Sequence, residues 1–498
     1  MFRPLDSAFD SFLVAAFIGL KVWLLFALPL TGDEAYWIWW SQHLGLGHYD
    51  HPPMVGWVLA LLQLHSDELW WLRIAGLLTS VLISWSIYIL LCVAEPSLVF
   101  RRRHLLVALG FFVSPVSLMF LMTANDTVLA LFGFLGFAAY AAAVIRRSVF
   151  WALIAGLLLG AAVLSKYFAA FPILGLALFS LWQVGRIGWA IPLVTAMGVL
   201  PLSAINLYYN YTHCWNNILF NFFSRTRGGE WGLENPAIFL AILLIFIGPW
   251  SIWHWVRCGG RYTGILRTEL GLLVKFASVP LLGILFLVSL RYPLSLQWPV
   301  LAIPMLWLLF RALPEAALTS ILRWSAMSSL AVGAAIAIFL NDPGRWLSEP
   351  DRRALPLHTQ TQSLCEKLPE GEFFTLGYSS QSILSVSCRN RDVHVFASRS
   401  KFGREDDFHV DFRALNGKEM QILLLQESDR AALEPFFESV VTTPIDLPGA
   451  GYVMATASGF RYEVYREQVL KAVVKDFYDA PYWFPQPGAC PVRERYGL

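Results

Sequence analysis

"FLVAAFIGLKVWLLFALPL", residues 12–30, and the stretch that follows it, "TGDEAYWIWWSQHLGLGHYDHPPMVGW", residues 31–57, decide the fold class. The first is an apolar run interrupted only by Lys21, and it has about the 20 residues that an α-helix needs to span hydrocarbon. A transmembrane strand would alternate apolar and polar residues, which this run does not. It is also a poor cleaved signal peptide, being too long, preceded by acidic residues and ended by "LPLTGDE" rather than a small-x-small site. It is read as the first membrane helix. The second stretch then sets Asp33, Glu34, Asp50 and His51 at the exit from a membrane, either as a solvated loop with an aromatic belt or as an active site at the membrane surface.

The rest of the chain supports that reading. Of 498 residues, 57% are hydrophobic and 14% charged, against roughly a quarter charged in a soluble domain. A net charge of +2 argues against nucleic acid as the main partner. The apolar blocks predict eleven spans, at about 11–30, 71–93, 104–122, 127–145, 149–165, 168–184, 188–208, 236–256, 270–290, 297–312 and 319–340. Basic residues crowd the links on one side, Arg101, Arg102, Arg103, Arg146, Arg147 and Arg186 among them. The positive-inside rule places that side, and the N-terminus, in the cytoplasm, and residues 341–498 outside it. The tryptophans of "YWIWW" and "LWWLR" read as an interfacial belt.

After residue 340 the composition changes. "NDPGRWLSEPDRRALPLHTQTQ" is a charged, proline-containing linker. "EFFTLG", "DVHVFAS", "MQILLLQ" and "GYVMATASGFRYEVYR" then read as strands, and 429–438 as a helix. The expected architecture is a polytopic α-helical membrane domain, 1–340, with a periplasmic α/β domain, 341–498, long enough for its own core. Cys365, Cys388 and Cys490 fall in that domain. One disulfide, Cys365–Cys388 first among the pairings, is open to them in an oxidising periplasm, and three free thiols are the alternative.

Polar residues collect on one face. Asp33, Glu34, Asp50, His51 and Arg73 lie between spans one and two, Asp126 ("MTANDTVLA") between three and four, and Lys166 ("LSKYFAAFP") between five and six. Arg225, Arg227 and Glu230 lie between seven and eight, and Arg291 between nine and ten. All fall on the outer side. Singly each reads as a solvated loop residue, a helix cap (Glu34, Asp126) or a snorkelling cation (Lys166, Arg291). Together they describe a cavity for an anion. Lysine and arginine bind phosphate through charge-assisted hydrogen bonds. A carboxylate kept ionised beside them accepts a proton from an attacking hydroxyl, while the cations stabilise a departing phosphate. That combination fits sugar transfer from a phosphate carrier. No Gly-rich nucleotide loop supports a nucleotide-sugar or ATP-driven mechanism.

"GDEAYW" after the first span and "YDHPPM" some fifteen residues on, with "TANDT" and "LSKY" later, resemble the GT-C superfamily of membrane glycosyltransferases. The nearest relatives look like the bacterial protein-O-mannosyltransferase family and the lipid A aminoarabinose transferase. The resemblance implies Asp33 as catalytic base, Glu34 as its companion and Asp126 as the second acidic residue. It matches Asp50-His51-Pro52-Pro53 to a Glu-Lys-Pro-Pro motif. Asp50 then corresponds to a ligand of a divalent metal ion, and His51 to a lysine on the carrier phosphate. Lys166, Arg225 or Arg227, Arg73 and Arg291 are the remaining substrate-binding candidates. It also implies an inverting displacement from a polyprenyl-phosphate sugar donor to a hydroxyl or phosphate of an envelope lipid, glycan or protein, at the outer face of a bacterial inner membrane. A transporter or flippase of a lipid-linked sugar, and a cell-surface glycan polymerase or ligase, are the competing readings. Polar groups at mid-membrane on broken helices would favour the transporter.

Overall fold

The computed structural model describes residues 7–225, 227–258, 262–389 and 391–498. The chain divides into two compact units: Met1–Ala27, Leu62–Ile205 and Gly228–Ile338 form the first, and Leu28–Leu61, Asn206–Arg227 and Phe339–Leu498 the second.

The apolar blocks fold as helices. Among the described residues seven are long and apolar enough to cross a membrane: Ala8–Ala27, Leu69–Ala94, Asn125–Arg146, Tyr167–Ile187, Ala190–Thr212, Glu269–Ser289 and Glu315–Asn341. The block expected at 236–256 is a pair, Glu234–Ile247 and Pro249–Arg257, bent by 81°. The bend falls where Gly248 takes φ +89° and Pro249 follows it. Three expected spans are shorter. The segment 104–122 is helical over Arg101–Phe112 and then tightens into a 3-10 turn, Pro115–Met119, because Ser114 is held extended before a proline. Val149–Val163 stops at 15 residues, and Trp298–Ala312, with Pro299 and Pro304 inside it, alternates 3-10 and α turns. The outcome is a polytopic helical architecture with a small C-terminal sheet.

Close packing in the first unit depends on glycine. Gly156 and Gly160 form a G-x-x-x-G stripe on Val149–Val163. A Cβ at Gly156 would sit 2.3 Å from the Thr195 carbonyl oxygen and 2.9 Å from the Gly198 Cα of helix Ala190–Thr212. Lys21 is buried in Ala8–Ala27 with its ammonium satisfied by neutral oxygens: Ser80 Oγ at 2.8 Å, the Ser117 carbonyl at 2.9 Å and Ser117 Oγ at 3.3 Å. Its role in the first unit is to tie three segments together.

The second unit is built on a five-stranded sheet of order β2-β1-β3-β5-β4. Its strands are β1 Gly371–Thr375, β2 Arg391–Val395, β3 Met420–Leu424, β4 Ser439–Pro444 and β5 Val453–Ser458. β1 pairs in parallel with β2 and β3, whereas β5 pairs antiparallel with β3 and β4. Alternation sends Phe373 and Leu423 to one core, and Phe374, Ile422 and Leu424 to the other, so both faces are buried. The second core also takes in Tyr49, Cys214 and Phe220, which lie far upstream in the chain.

Three expected strands form where they were read, but the fourth covers only Val453–Ser458. Gly459, at φ +71°, ends it, and Tyr462–Tyr465 is already helical. The helix expected at 429–438 is replaced by two 3-10 turns, Glu427–Ala432 and Glu434–Phe436, with Pro435 interrupting any longer helix. Two disulfides staple the unit: Cys365–Cys388, one of the alternatives the sequence leaves open, and Cys214–Cys490, 276 residues apart, which is not among them.

Candidate active site

In the second unit, Thr31 opens the helix Gly32–Gln42 by accepting the Glu34 N–H at 3.2 Å, the half of a Thr-x-x-Glu capping box that orients the helix start. Gly32 sits where a Cβ would come within 2.6 Å of Ser379, which brings this first turn against the start of helix Tyr378–Ser387. That contact determines the surroundings of Asp33. Its side chain is exposed, and one carboxylate oxygen accepts the Tyr378 hydroxyl at 2.8 Å. Burial, then the Asp33 charge, push the Tyr378 phenol well above its ordinary range, so it stays a neutral donor. Gly403, at φ +64°, takes the other face of that ring, and no side chain would fit there.

Glu34 points inward and is buried. So are Tyr36, Trp39 and Trp40, which corrects the belt reading of "YWIWW": these rings are core of the second unit. Trp40 stacks flat on His48, 4.3 Å between centroids. His48 Nδ1 meets Glu405 Oε1 at 3.1 Å, and the Tyr49 N–H donates to Glu405 Oε2 at 2.5 Å. The Glu405 N–H donates to the Tyr36 hydroxyl, and that hydroxyl donates to Asp50 Oδ1, each at 3.3 Å. Asparagine side chains brace the same loop from outside: Asn217 on the His48 carbonyl at 2.8 Å and Asn221 on the Asp50 carbonyl at 2.7 Å.

This network separates two carboxyls electrostatically. Asp50 is pushed up to about 7 by burial, then by the charges of Glu405 and Asp33. Burial would raise Glu405 as well, but the His48 charge and hydrogen bond and the Tyr49 amide hold it below its ordinary value. One buried carboxyl is therefore ionised while its neighbour titrates near neutrality.

A divalent metal on Asp50 needs further ligands. Among the described residues no group of three or more His, Cys, Asp or Glu side chains is placed to hold one. The donors around Asp50 are a tyrosine hydroxyl and a carboxylate already engaged by His48 and an amide. They do not fit a metal, and no chemistry below passes through one.

His51 and Arg225 meet at one ring: the His51 imidazole is edge-on to Phe220 at 6.1 Å, and the Arg225 guanidinium lies 5.8 Å over it. Lys401, which the sequence did not single out, reaches the Ser224 carbonyl beside them at 3.5 Å. Arg227 is drawn to Asp476 at 3.5 Å. In the first unit, Lys166 and Asp126 form a buried pair, with Nζ 2.8 and 2.9 Å from the two carboxylate oxygens. Asp126 thus holds an ion pair in the first turn of its helix rather than the N-cap, which falls on Ala124. Arg73 is buried and donates to the Leu25 carbonyl at 2.9 Å, and Arg291 donates to the Gly229 carbonyl at 2.8 Å.

Residues 50–209 match the family described as dolichyl-phosphate-mannose-protein mannosyltransferase. Over 267 residues the chain is 28% identical to the lipid A galacturonosyltransferase RgtD of Rhizobium johnstonii, a match covering 48% of this chain. It spans about half, 54%, of that relative's length. ArnT from Cupriavidus metallidurans bound to undecaprenyl phosphate superposes with a TM-score of 0.64 at 15% identity, over 89% of this chain and 97% of that one. Its apo form gives 0.61. This chain is similar to the GT-C membrane glycosyltransferases.

With the GT-C likeness in place, the residues that the sequence missed are distinctive. Tyr36 and His48 stood inside the opening stretch without a reason to prefer them. Tyr378 and Glu405 lie 345 and 357 residues from Asp33 and His48. The run "REDD" around Glu405 has the pattern of a solvated loop, and only burial of Arg404, Glu405 and Asp406 separates it from one.

Proposed function

We propose that this protein transfers a sugar from a polyprenyl-phosphate-linked donor to an acceptor of the cell envelope, with Asp33 as the base. The observation that carries the reading is the Asp33 carboxylate, exposed at a helix start and oriented by the Tyr378 hydroxyl. The support from relatives is their names, a lipid A galacturonosyltransferase and an ArnT bound to undecaprenyl phosphate. The first favours a lipid acceptor and an acidic sugar, and the second a polyprenyl-phosphate carrier.

In this mechanism Asp33 takes the proton from the acceptor hydroxyl as its oxygen attacks the anomeric carbon from the side opposite the phosphate. The glycosidic C–O bond breaks with its electron pair passing to the phosphate oxygen, so configuration inverts. The transition state resembles an oxocarbenium ion. Phosphate needs no proton to leave, and the Arg225 guanidinium, with the His51 imidazole at the same Phe220 ring, is suited to hold it. Lys166, Arg73 and Arg291 stay phosphate candidates on their chemistry, and Glu34 and Asp126 supporting acids. The second unit faces the periplasm and the N-terminus the cytoplasm, a side assignment supported by the basic links and by two disulfides in the second unit.

The test is transfer by the purified protein from a polyprenyl-phosphate sugar to lipid A. Asp33→Asn abolishes product while the protein remains monodisperse. Substantial transfer by that variant would remove Asp33 as base, and no transfer by the parent protein with any polyprenyl donor would remove the whole reading.

A further inference from the structure

The segment Ala480–Cys490, "APYWFPQPGAC", has no charged residue, and it is fixed at a particular place in the second unit. The Cys214–Cys490 disulfide and the hydrogen bond from the Gly488 N–H to the Tyr211 carbonyl, 2.8 Å, pin it to the last turn of helix Ala190–Thr212 and the residues just beyond. Gly488 lies so close that a Cβ would come 2.2 Å from the Tyr211 ring. Phe484 folds inward, edge-on to Trp215 at 5.3 Å and to Phe223 at 6.2 Å. The two residues before it are open to solvent, Tyr482 93% exposed and Trp483 63% with one side of its ring against Phe223 at 5.9 Å.

Three proline residues, Pro481, Pro485 and Pro487, stiffen the segment, so holding two large rings in water costs little chain entropy to maintain and gains nothing. The helix that carries it is long and apolar enough to cross a membrane, and near this end it shows Tyr208 and Tyr211 on its own exposed surface. Tyrosine and tryptophan at the end of a span are the residue types that settle at the headgroup level, ring in the acyl boundary and polar edge in water. The aromatic pair continues that band.

We infer that Tyr482 and Trp483 form a lipid-contacting surface, seated in the headgroup region of the leaflet at the end of helix Ala190–Thr212. The inference does not depend on the reaction proposed above. A disulfide-tethered, proline-stiffened loop with two interfacial rings is a fixed anchor of the second unit on the bilayer.

The test uses the full-length protein in phospholipid nanodiscs with p-benzoylphenylalanine in place of Trp483, in place of Tyr482, or in place of Val441. Val441 is the control, because it is 63% exposed but lies on strand β4. After irradiation, mass spectrometry of the digested chain reads phospholipid adducts. The expected result is adduct yield at 483 and 482 at least about tenfold above that at 441. No adduct at either position, adducts to other proteins instead, or equal yield at all three overturns the inference. Because both rings are exposed, neither replacement disturbs a core, and elution volume in size exclusion verifies this.

Discussion

At Asp33 the smallest chemical change available is the loss of one hydroxyl. Tyr378→Phe removes the donor from the carboxylate but keeps the ring that packs between Gly403 and Tyr36. A hydrogen bond to a charged group contributes about 1.5–3 kcal/mol, so kcat falls by about tenfold or more. The KM for the polyprenyl donor and the thermal midpoint stay near wild type, because the lost bond orients the base without touching the carrier. A kcat equal to that of the parent would show that Asp33 needs no such orientation. Asp50 offers a pH test of the network behind it. Its carboxyl, ordinarily near 3.8, is raised to about 7, so folding favours the neutral form. That stability is fully present below 3.8 and is lost as pH rises through 7. Asp50→Asn keeps an acceptor for Tyr36 and cannot ionise. Its thermal midpoint therefore gains on wild type as pH rises from about 4 to 7, and the gap is constant above that. Parallel curves across the range would show that Asp50 is not held neutral.

At the scale of elements, the membrane helices were legible because a span is set by length and hydropathy, both local quantities. The breaks were less so: Pro115, Pro249 and Pro304 are visible letters, but whether a proline kinks a helix or ends it depends on the packing around it. Asp33, Asp126 and Lys166 could be picked out as charges beside apolar runs, whereas the pairing of the last two could not. Tyr378 and Glu405 left no trace, since a contact across some 350 residues has no periodicity to betray it. The glycine stripe of Val149–Val163 lies between these cases, a motif in the sequence whose partner only the structure supplies. Gly156→Leu would drive a side chain into the backbone of Ala190–Thr212. The expected result is a loss of about 1–3 kcal/mol or more, measured as a lower thermal midpoint and less monodisperse protein. Gly185→Ala, where nothing lies within 4 Å of a Cβ, is the matched control and leaves the midpoint unchanged or slightly raised. Equal behaviour of the two variants would mean that these helices do not pack through Gly156.

Across the whole molecule, the Cys214–Cys490 disulfide carries the most information about organisation. It joins residues 276 positions apart, one just beyond helix Ala190–Thr212 and the other near residue 498. In a freely unfolding chain, closing so long a loop would contribute about 5.6 kcal/mol. Here the intervening sequence includes membrane-length helices, Glu269–Ser289 and Glu315–Asn341, whose insertion already restricts the unfolded ensemble. Most of the loop entropy is gone before the bond forms. The disulfide should therefore act locally. Cys490→Ser is expected to free the segment from Asp479 to Ala489 for protease cleavage and to lower the thermal midpoint only slightly. Hydrogen exchange in strands β1, β3 and β5 should remain as protected as in the parent, because the sheet has its own core and the separate Cys365–Cys388 bond. Limited proteolysis with mass mapping, run beside hydrogen exchange, distinguishes the outcomes. Loss of protection throughout the sheet would mean that the long-range bond holds the second unit together, and an unchanged cleavage pattern would mean that Gly488, Phe484 and their neighbours hold the segment without it.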